Sequence, residues 1–376
     1  MSRQVQEPLE PSAELIEPSG EPTELEDVVN LADFEALARA RMAPDAFDYV
    51  AGGSWDEVTM ADNLAAFRRR LLRPRVLVDV SAIDTSTTIL DRGVSLPVGI
   101  APTAFQLLCH EHGEQAGSRA ASAAEVVFCL STLSSYSLED VASAAVDAGS
   151  GPRWFQLYVH KDRAVSRDLV ERAAAAGYSA LVVTVDLPVG GYRERDLRHR
   201  LPYPQRFGNF VAPGTEGRRL LAAIGDFNDQ AFTWRDLDWV RGLSDLPLVV
   251  KGILTREDAA LAVEHGAAGI VVSNHGGRQL DRVPASIDVL EECVDAVAGA
   301  AEVYLDGGVR RGTDVLTAQA LGARAVFMGR PYLYALAAGG ESGVAWALAL
   351  LGEELRTAMA LLGVRSVSEI RRSHVR

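Results

Sequence analysis

The stretch Ser273-Asn274-His275-Gly276-Gly277-Arg278-Gln279-Leu280-Asp281 places an imidazole, two glycines and a guanidinium side by side. The imidazole can take a proton near neutral pH. The guanidinium is a planar fork suited to a carboxylate. The glycines let backbone or ligand approach closely. The stretch follows the apolar run Gly269-Ile270-Val271-Val272, which reads as a short buried strand. A proton acceptor and an anion clamp emerging together at a strand end point to catalysis.

The elements that must hold these groups are legible from about residue 96 onward. Short β-branched apolar runs alternate with Ala-rich amphipathic segments. The runs are 97–100, 126–130, 154–158, 180–185, 248–250, 269–272, 302–305 and 325–328. Near-continuous apolar strands separated by helices imply a parallel sheet covered by helices, and eight such units close a (β/α)8 barrel. Helices are predicted over 114–125, 137–146, 165–176, 256–265, 287–297 and 313–321, with Gly177, Gly266 and Gly322 as left-handed stops. A doubly wound open sheet is the competing fold. The absence of a Gly-rich dinucleotide fingerprint after an early strand weakens it. Residues 187–247 are too long for an ordinary crossover and read as a lid. Residues 28–95 read as a helical cap, and the whole of 28–376 as one domain. Residues 1–27 are rich in Glu and Pro and read as a disordered acidic tail.

Barrel chemistry gathers at the C-terminal ends of the strands. Those ends carry Pro102 and Thr103, Ser131 and Thr132, Gln156 and Tyr158, Thr184 and Asp186, Lys251, Ser273 to Arg278, Asp306 to Gly308, and Gly329 with Arg330. Such a polar ring suits a planar, heteroatom-rich ligand. Gly307, Gly308 and Arg310 after the seventh run, with Gly329 and Arg330 after the eighth, form the phosphate candidate, since glycine amides and guanidinium both serve an anion.

Composition sets the bounds. The chain has 376 residues, 48% of them hydrophobic, and a net charge of −14. That acidity argues against nucleic acid or an anionic membrane as the main partner. Cys109, Cys129 and Cys293 share no close spacing, so a disulfide framework is not expected and a cytoplasmic location is the default. No run of apolar residues reaches the ~18 of a membrane span, and no metal set is evident.

These motifs resemble the FMN-dependent L-2-hydroxy acid oxidases and dehydrogenases, the group of glycolate oxidase, lactate oxidase and mandelate dehydrogenase. The likeness covers about residues 28–375. It rests on Ile100 to Ala104, Phe155 to Tyr158, Thr184 to Asp186, Val250 to Gly252, Ser273 to Asp281, Leu305 to Gly312 and Gly329 to Pro331. The resemblance implies an FMN cofactor and oxidation of an L-2-hydroxy acid to the 2-oxo acid, with O2 as electron acceptor and peroxide as product. It implies His275 as active-site base, Asp306 as the partner of its imidazole, and Lys251 beside flavin N1. Arg193 and Arg278 become the carboxylate clamp, with Arg195 close by as a rival to Arg193. Tyr49 and Tyr158 become hydroxyl donors to the substrate. Ser131, Gln156, Thr184, Ser273 and the backbone of Pro102, Thr103 and Ala104 become flavin contacts, and Asp186 serves reoxidation or positions water. A homo-oligomer, tetramer or octamer, is usual in such a family.

One departure bears on substrate. Glycolate oxidases carry a tryptophan two residues after the position of Ser131, and here that residue is Leu133. The smaller side chain implies room for longer, branched or aromatic 2-hydroxy acids. A dehydrogenase or monooxygenase of the same family, an FMN barrel isomerase and a non-catalytic phosphate-binding barrel remain the alternatives.

Overall fold

The computed structural model describes residues 24–200, 206–210 and 227–376. Eight parallel strands close into a barrel: β1 Val98–Ile100, β2 Val127–Ser131, β3 Arg153–Leu157, β4 Ala180–Thr184, β5 Leu248–Ile253, β6 Gly269–Val272, β7 Glu302–Asp306 and β8 Ala325–Met328. Each pairs with its neighbour in sequence, and β8 closes on β1. All eight apolar runs are therefore strands, and the open-sheet alternative falls.

The helices are α1 Asp33–Arg41, α2 Pro44–Ala51, α3 Val58–Arg68, α4 Gly113–Ala123, α5 Leu138–Ala144, α6 Arg163–Ala175, α7 Glu194–His199, α8 Trp234–Arg241, α9 Arg256–Glu264, α10 Leu290–Val297, α11 Gly312–Ala320 and α12 Arg330–Leu362. Gly177, Gly266 and Gly322 all have positive φ, as a left-handed helix stop requires. The helix expected over 287–297 is two pieces, a 3-10 turn at Ser286–Asp288 and then α10. The sequence reading missed α12. This helix is long and apolar enough to cross a membrane by composition. It is broken at Gly339–Gly340 by non-helical backbone, and it packs against α1, α4 and α11 as a core helix does.

Two apolar clusters build the interior. One lies between the strands and the surrounding helices. The other fills the barrel, with Trp154, Tyr304 and Phe327 packed on one another at 5.3–5.8 Å between ring centres. A hairpin of Thr87–Ile89 and Arg92–Val94 plugs the N-terminal mouth with Ile89 and Val94.

Strand side chains alternate between the two clusters. Cys129, Trp154, Val182, Val249, Val271, Tyr304 and Phe327 point inward. Two residues further along, the same parity aims Ser131, Gln156, Thr184, Lys251, Ser273 and Asp306 into the C-terminal mouth. Register confirms the level, because Ser131 pairs with Gln156 and Thr184 with Lys251.

The acidic tail expected over 1–27 lies outside the described residues up to 23. Its last residues form a 3-10 turn at Leu25–Asp27, with Leu25 packed on the core. Tyr203, Pro204, Pro213 and Gly214 of the expected lid also lie outside the described residues.

Candidate active site

The C-terminal mouth opens into a cleft of about 1030 Å³. Of the residues expected from sequence, Tyr49, Pro102, Thr103, Ala104, Ser131, Leu133, Tyr158, Arg193, Lys251, His275, Arg278, Asp306, Gly307, Gly308, Arg310, Gly329 and Arg330 line it. Leu187, Val309 and Leu333 also line it and were not expected; as plain apolar residues they carried no signal. Three of the expected flavin contacts do not reach its wall. Gln156 and Ser273 sit beneath it, fully buried. Thr184 faces an adjoining hollow that shares Tyr158 and Leu187 with the cleft.

His275 follows β6 in a run of three positive-φ residues, His275, Gly276 and Gly277. That left-handed run is costly for a histidine and is held by its surroundings. The backbone N–H of His275 donates to Ser273 Oγ at 3.1 Å. Asn274 and Asn63 exchange side-chain amide bonds at 2.9 and 2.8 Å, which ties the loop to α3.

The imidazole partner is Asp186, with Nδ1 at 2.8 Å from Oδ1. This corrects the expected pairing with Asp306, whose Oδ2 lies 3.2 Å from Lys251 Nζ instead. Lys251 Nζ also donates to Ser273 Oγ at 2.9 Å. The left-handed turn at His275 directs its ring toward the loop after β4, and Lys251 takes the carboxylate of β7.

Protonation follows from burial and charge. Burial tends to raise the pKa of Asp186, but His275 and Lys251 outweigh it and hold the carboxyl below its usual range. Burial lowers the pKa of His275, with Asp186 opposing. A neutral ring beside a carboxylate must donate Nδ1–H to it, which leaves Nε2 with a free lone pair. Burial alone would lower the pKa of Lys251, yet Asp306 and Asp186 keep it above its ordinary value. Burial pushes the Tyr158 phenol up, so it is a hydroxyl donor.

Four guanidiniums gather on the opposite side. Those of Arg193 and Arg278 lie 5.6 and 5.0 Å from the ring centre of Tyr49. Arg195, the rival to Arg193, points away and pairs with Glu57 at 2.6 Å. Arg278 donates to the carbonyls of Tyr49 and Gly52 at 2.7 and 2.8 Å. Arg330 donates to those of Val50, Gly276 and Gly52 at 3.1, 2.8 and 2.7 Å. Most of these acceptors are end carbonyls of α2, which have no partner within the helix and form its negative pole. Among the described residues, no carboxylate lies within ion-pair distance of Arg278, Arg310 or Arg330. Burial and then the nearby Arg278 push Arg330 down to about 9. So much half-buried positive charge without carboxylate partners is a site for anions.

The mouth fits a flavin nucleotide. Gln156 Nε2, Thr184 Oγ1 and Asp306 Oδ1 are buried and have no hydrogen-bond partner in the protein. Buried polar groups of this kind call for a polar ligand. At Gly329, just before the first turn of α12, a Cβ would meet nothing within 4 Å, so open space faces that helix N-terminus. Gly307 and Gly308 stand beside it with φ of +92° and +90°. Glycine amides, a helix N-terminus and Arg310 with Arg330 make a phosphate cradle.

Comparison with known proteins gives the same picture. Residues 38–376 match the family described as FMN-dependent dehydrogenase. An L-lactate oxidase of Nostoc sp. is 50% identical over 359 residues, covering 93% of this chain and 98% of that protein. A glycolate oxidase of Spinacia oleracea is 47% identical, covering 93% and 96%. A crystal structure of mandelate oxidase superposes with a TM-score of 0.86 at 46% identity, covering 92% of this chain and 97% of that one.

Proposed function

Because this chain belongs to the FMN-dependent dehydrogenase family, as a member of its 2-hydroxy acid oxidase group, we propose that it oxidises an L-2-hydroxy acid larger than glycolate and passes the electrons to O2. Bound FMN supplies the two-electron acceptor. The rest of the work falls to the chain's own residues.

Arg278 and Arg193 take the substrate carboxylate. Their guanidiniums already flank Tyr49, so the anion enters without a new cation having to be moved. Tyr158 donates its hydroxyl to the substrate. His275 takes a proton from the substrate at Nε2 while Asp186 holds the ring by Nδ1 and steadies the imidazolium. Lys251, fixed by Asp306 and Ser273, would hold a positive charge beside the bound cofactor and favour its anionic form. Gln156 Nε2, Ser131 and Thr184 Oγ1 serve the ring edge, and Arg310 and Arg330 the phosphate.

The apolar part of the cleft wall bears on substrate size. Leu133 and Leu187 line it, and both are apolar and buried. They accept an aliphatic or aromatic side chain, in keeping with relatives named for lactate and mandelate.

One observation carries the reading: an imidazole held by a carboxylate at 2.8 Å shares its cleft with Arg278, a guanidinium that has no carboxylate partner among the described residues. The test is anaerobic mixing of the yellow holoenzyme with L-lactate, L-2-hydroxyisocaproate, L-mandelate and glycolate. Rapid flavin bleaching by the larger acids, and peroxide equal to 2-oxo acid on admitting air, is the expected result. No bleaching by any of them overturns the proposal. Bleaching without matching peroxide moves it to the monooxygenase or dehydrogenase alternative.

A further inference from the structure

The proposed pocket size rests on Leu133, and the structure shows what holds Leu133. Residues 206–210 lie against the loop between β2 and α5. There the Asn209 side chain is buried and fully engaged. Its Nδ2 donates to the carbonyl of Thr132 at 2.9 Å and to Ser134 Oγ at 3.0 Å, and its Oδ1 accepts from the N–H of Leu138 at 2.8 Å. The N–H of Gly208 donates to the carbonyl of Ser134 at 3.0 Å. Leu133 is thus bracketed, because Asn209 holds both of its chain neighbours and Gly208 holds Ser134 a second time.

The approach is too close for a side chain. A Cβ at Gly208 would lie 1.9 Å from the carbonyl carbon of Tyr136. Phe207 extends the contact into the pocket wall. It meets Phe105 edge-on at 5.3 Å, Phe105 packs on Tyr49 at 6.2 Å, and the Phe105 N–H donates to the Leu133 carbonyl at 3.2 Å. Thr132 also reaches the catalytic side. Its hydroxyl donates to the Gln156 carbonyl at 2.6 Å and accepts from the Tyr158 N–H at 2.9 Å.

We propose that residues 206–210 form a fixed clip, with Asn209 as a positioning residue that sets the width of the substrate side-chain pocket by holding Leu133 against Phe105 and Tyr49. The proposal rests on the oxidase reading above. Asn209 touches neither substrate nor cofactor. It acts through the backbone on either side of Leu133, so its loss changes selectivity between acids of different size and leaves the imidazole and its proton chemistry in place.

The experiment compares kcat/KM for L-lactate and L-mandelate in the holoenzyme and in Asn209→Ala. Pyruvate and benzoylformate are also titrated into the oxidised flavoprotein to give Kd from the flavin spectrum. The expected result is a change of about tenfold in the mandelate-to-lactate ratio, the factor that corresponds to ~1.4 kcal/mol. It should be carried by KM and by the two Kd values, with the acid limb of the pH profile unmoved. Phe207→Leu, which keeps the clip's hydrogen bonds, is the second variant should Asn209→Ala not retain FMN; a smaller change in the same direction is expected. Unchanged ratios in a folded, flavin-loaded variant overturn the clip. A uniform fall in kcat with the ratio unchanged overturns it too. If the wild-type flavin is reduced by no 2-hydroxy acid, it is the oxidase reading that fails.

Discussion

Replacing Asp186 with Asn tests which carboxylate serves the imidazole. The Nδ1–Oδ1 contact is 2.8 Å and partly buried. A hydrogen bond to a charged group in such a setting contributes ~1.5–3 kcal/mol. At ~1.4 kcal/mol per factor of ten, losing it when the imidazolium forms slows proton abstraction by roughly ten- to hundredfold. The loss is larger if the new amide donates to Nδ1, because the proton then moves to Nε2 and the base has no lone pair. The pH dependence has a definite sign. Burial holds His275 below its ordinary value and Asp186 opposes that. The wild-type rate therefore rises through a pKa under the ordinary histidine value of ~6.5 and is flat above it. Removing the carboxylate lowers that pKa further, so the acid limb moves to lower pH while the plateau falls. Anaerobic stopped-flow measurement of flavin reduction against pH reads both. Asp306→Asn is the control, since Asp306 pairs with Lys251 at 3.2 Å. It should weaken FMN retention and leave the acid limb nearly in place. A threefold or smaller effect in Asp186→Asn with an unmoved limb refutes the assignment, and so does a limb that moves in Asp306→Asn instead.

Three other substitutions probe the remaining walls. Arg278→Lys cannot hold the Tyr49 and Gly52 carbonyls and still present a two-pronged face to a carboxylate. A KM increase of about ten- to hundredfold is expected, from ~1.4–2.8 kcal/mol of lost binding, and steady-state kinetics with L-lactate will show it. Leu133→Trp fills the apolar wall, so the mandelate-to-lactate ratio of kcat/KM should fall by about tenfold or more. Gly308→Ala sets a Cβ 2.2 Å from the Asn63 carbonyl oxygen at φ +90°. It should cost ~1–3 kcal/mol in a urea melt of the apoprotein and reduce FMN retention.

The barrel was legible because its strands are buried on both faces, so each one appears in sequence as an unbroken apolar run. The ring of site residues was legible for a related reason. Once a strand's inward parity is known, the polar residue two positions beyond the core must face the mouth, as Lys251 does beyond Val249 and Asp306 beyond Tyr304. The partner of His275 was not legible. Asp186 and Asp306 both end strands near Lys251, and the choice between them depends on a left-handed turn at His275. Residue type says nothing of that turn, since histidine has no preference for it comparable to glycine's. The apolar half of the cleft, with Leu187, Val309 and Leu333, stayed hidden because such residues look the same in a core and in a pocket. The rivalry between Arg193 and Arg195 needed coordinates, because both have carboxylate neighbours, Asp196 for the first and Glu57 with Asp48 for the second, and only Arg193 lines the cleft.

The end of α2 explains why so many cations can sit half-buried without carboxylates. Gly52 offers one carbonyl to both Arg278 and Arg330, at 2.8 and 2.7 Å. Tyr49 and Val50 supply further acceptors from the same helix end. A carboxylate there would neutralise the guanidiniums and compete with incoming anions. Carbonyl dipoles orient them and leave their full charge available. Two anions of different size, a substrate carboxylate and a cofactor phosphate, can then be served from one short helix, with Arg278 aimed at the first and Arg330 at the second. The arrangement also accounts for the cap's position. Residues 28–95 contribute no strand to the barrel, yet without the carbonyls at the end of α2 Arg278 would lose both of its backbone acceptors and Arg330 two of its three.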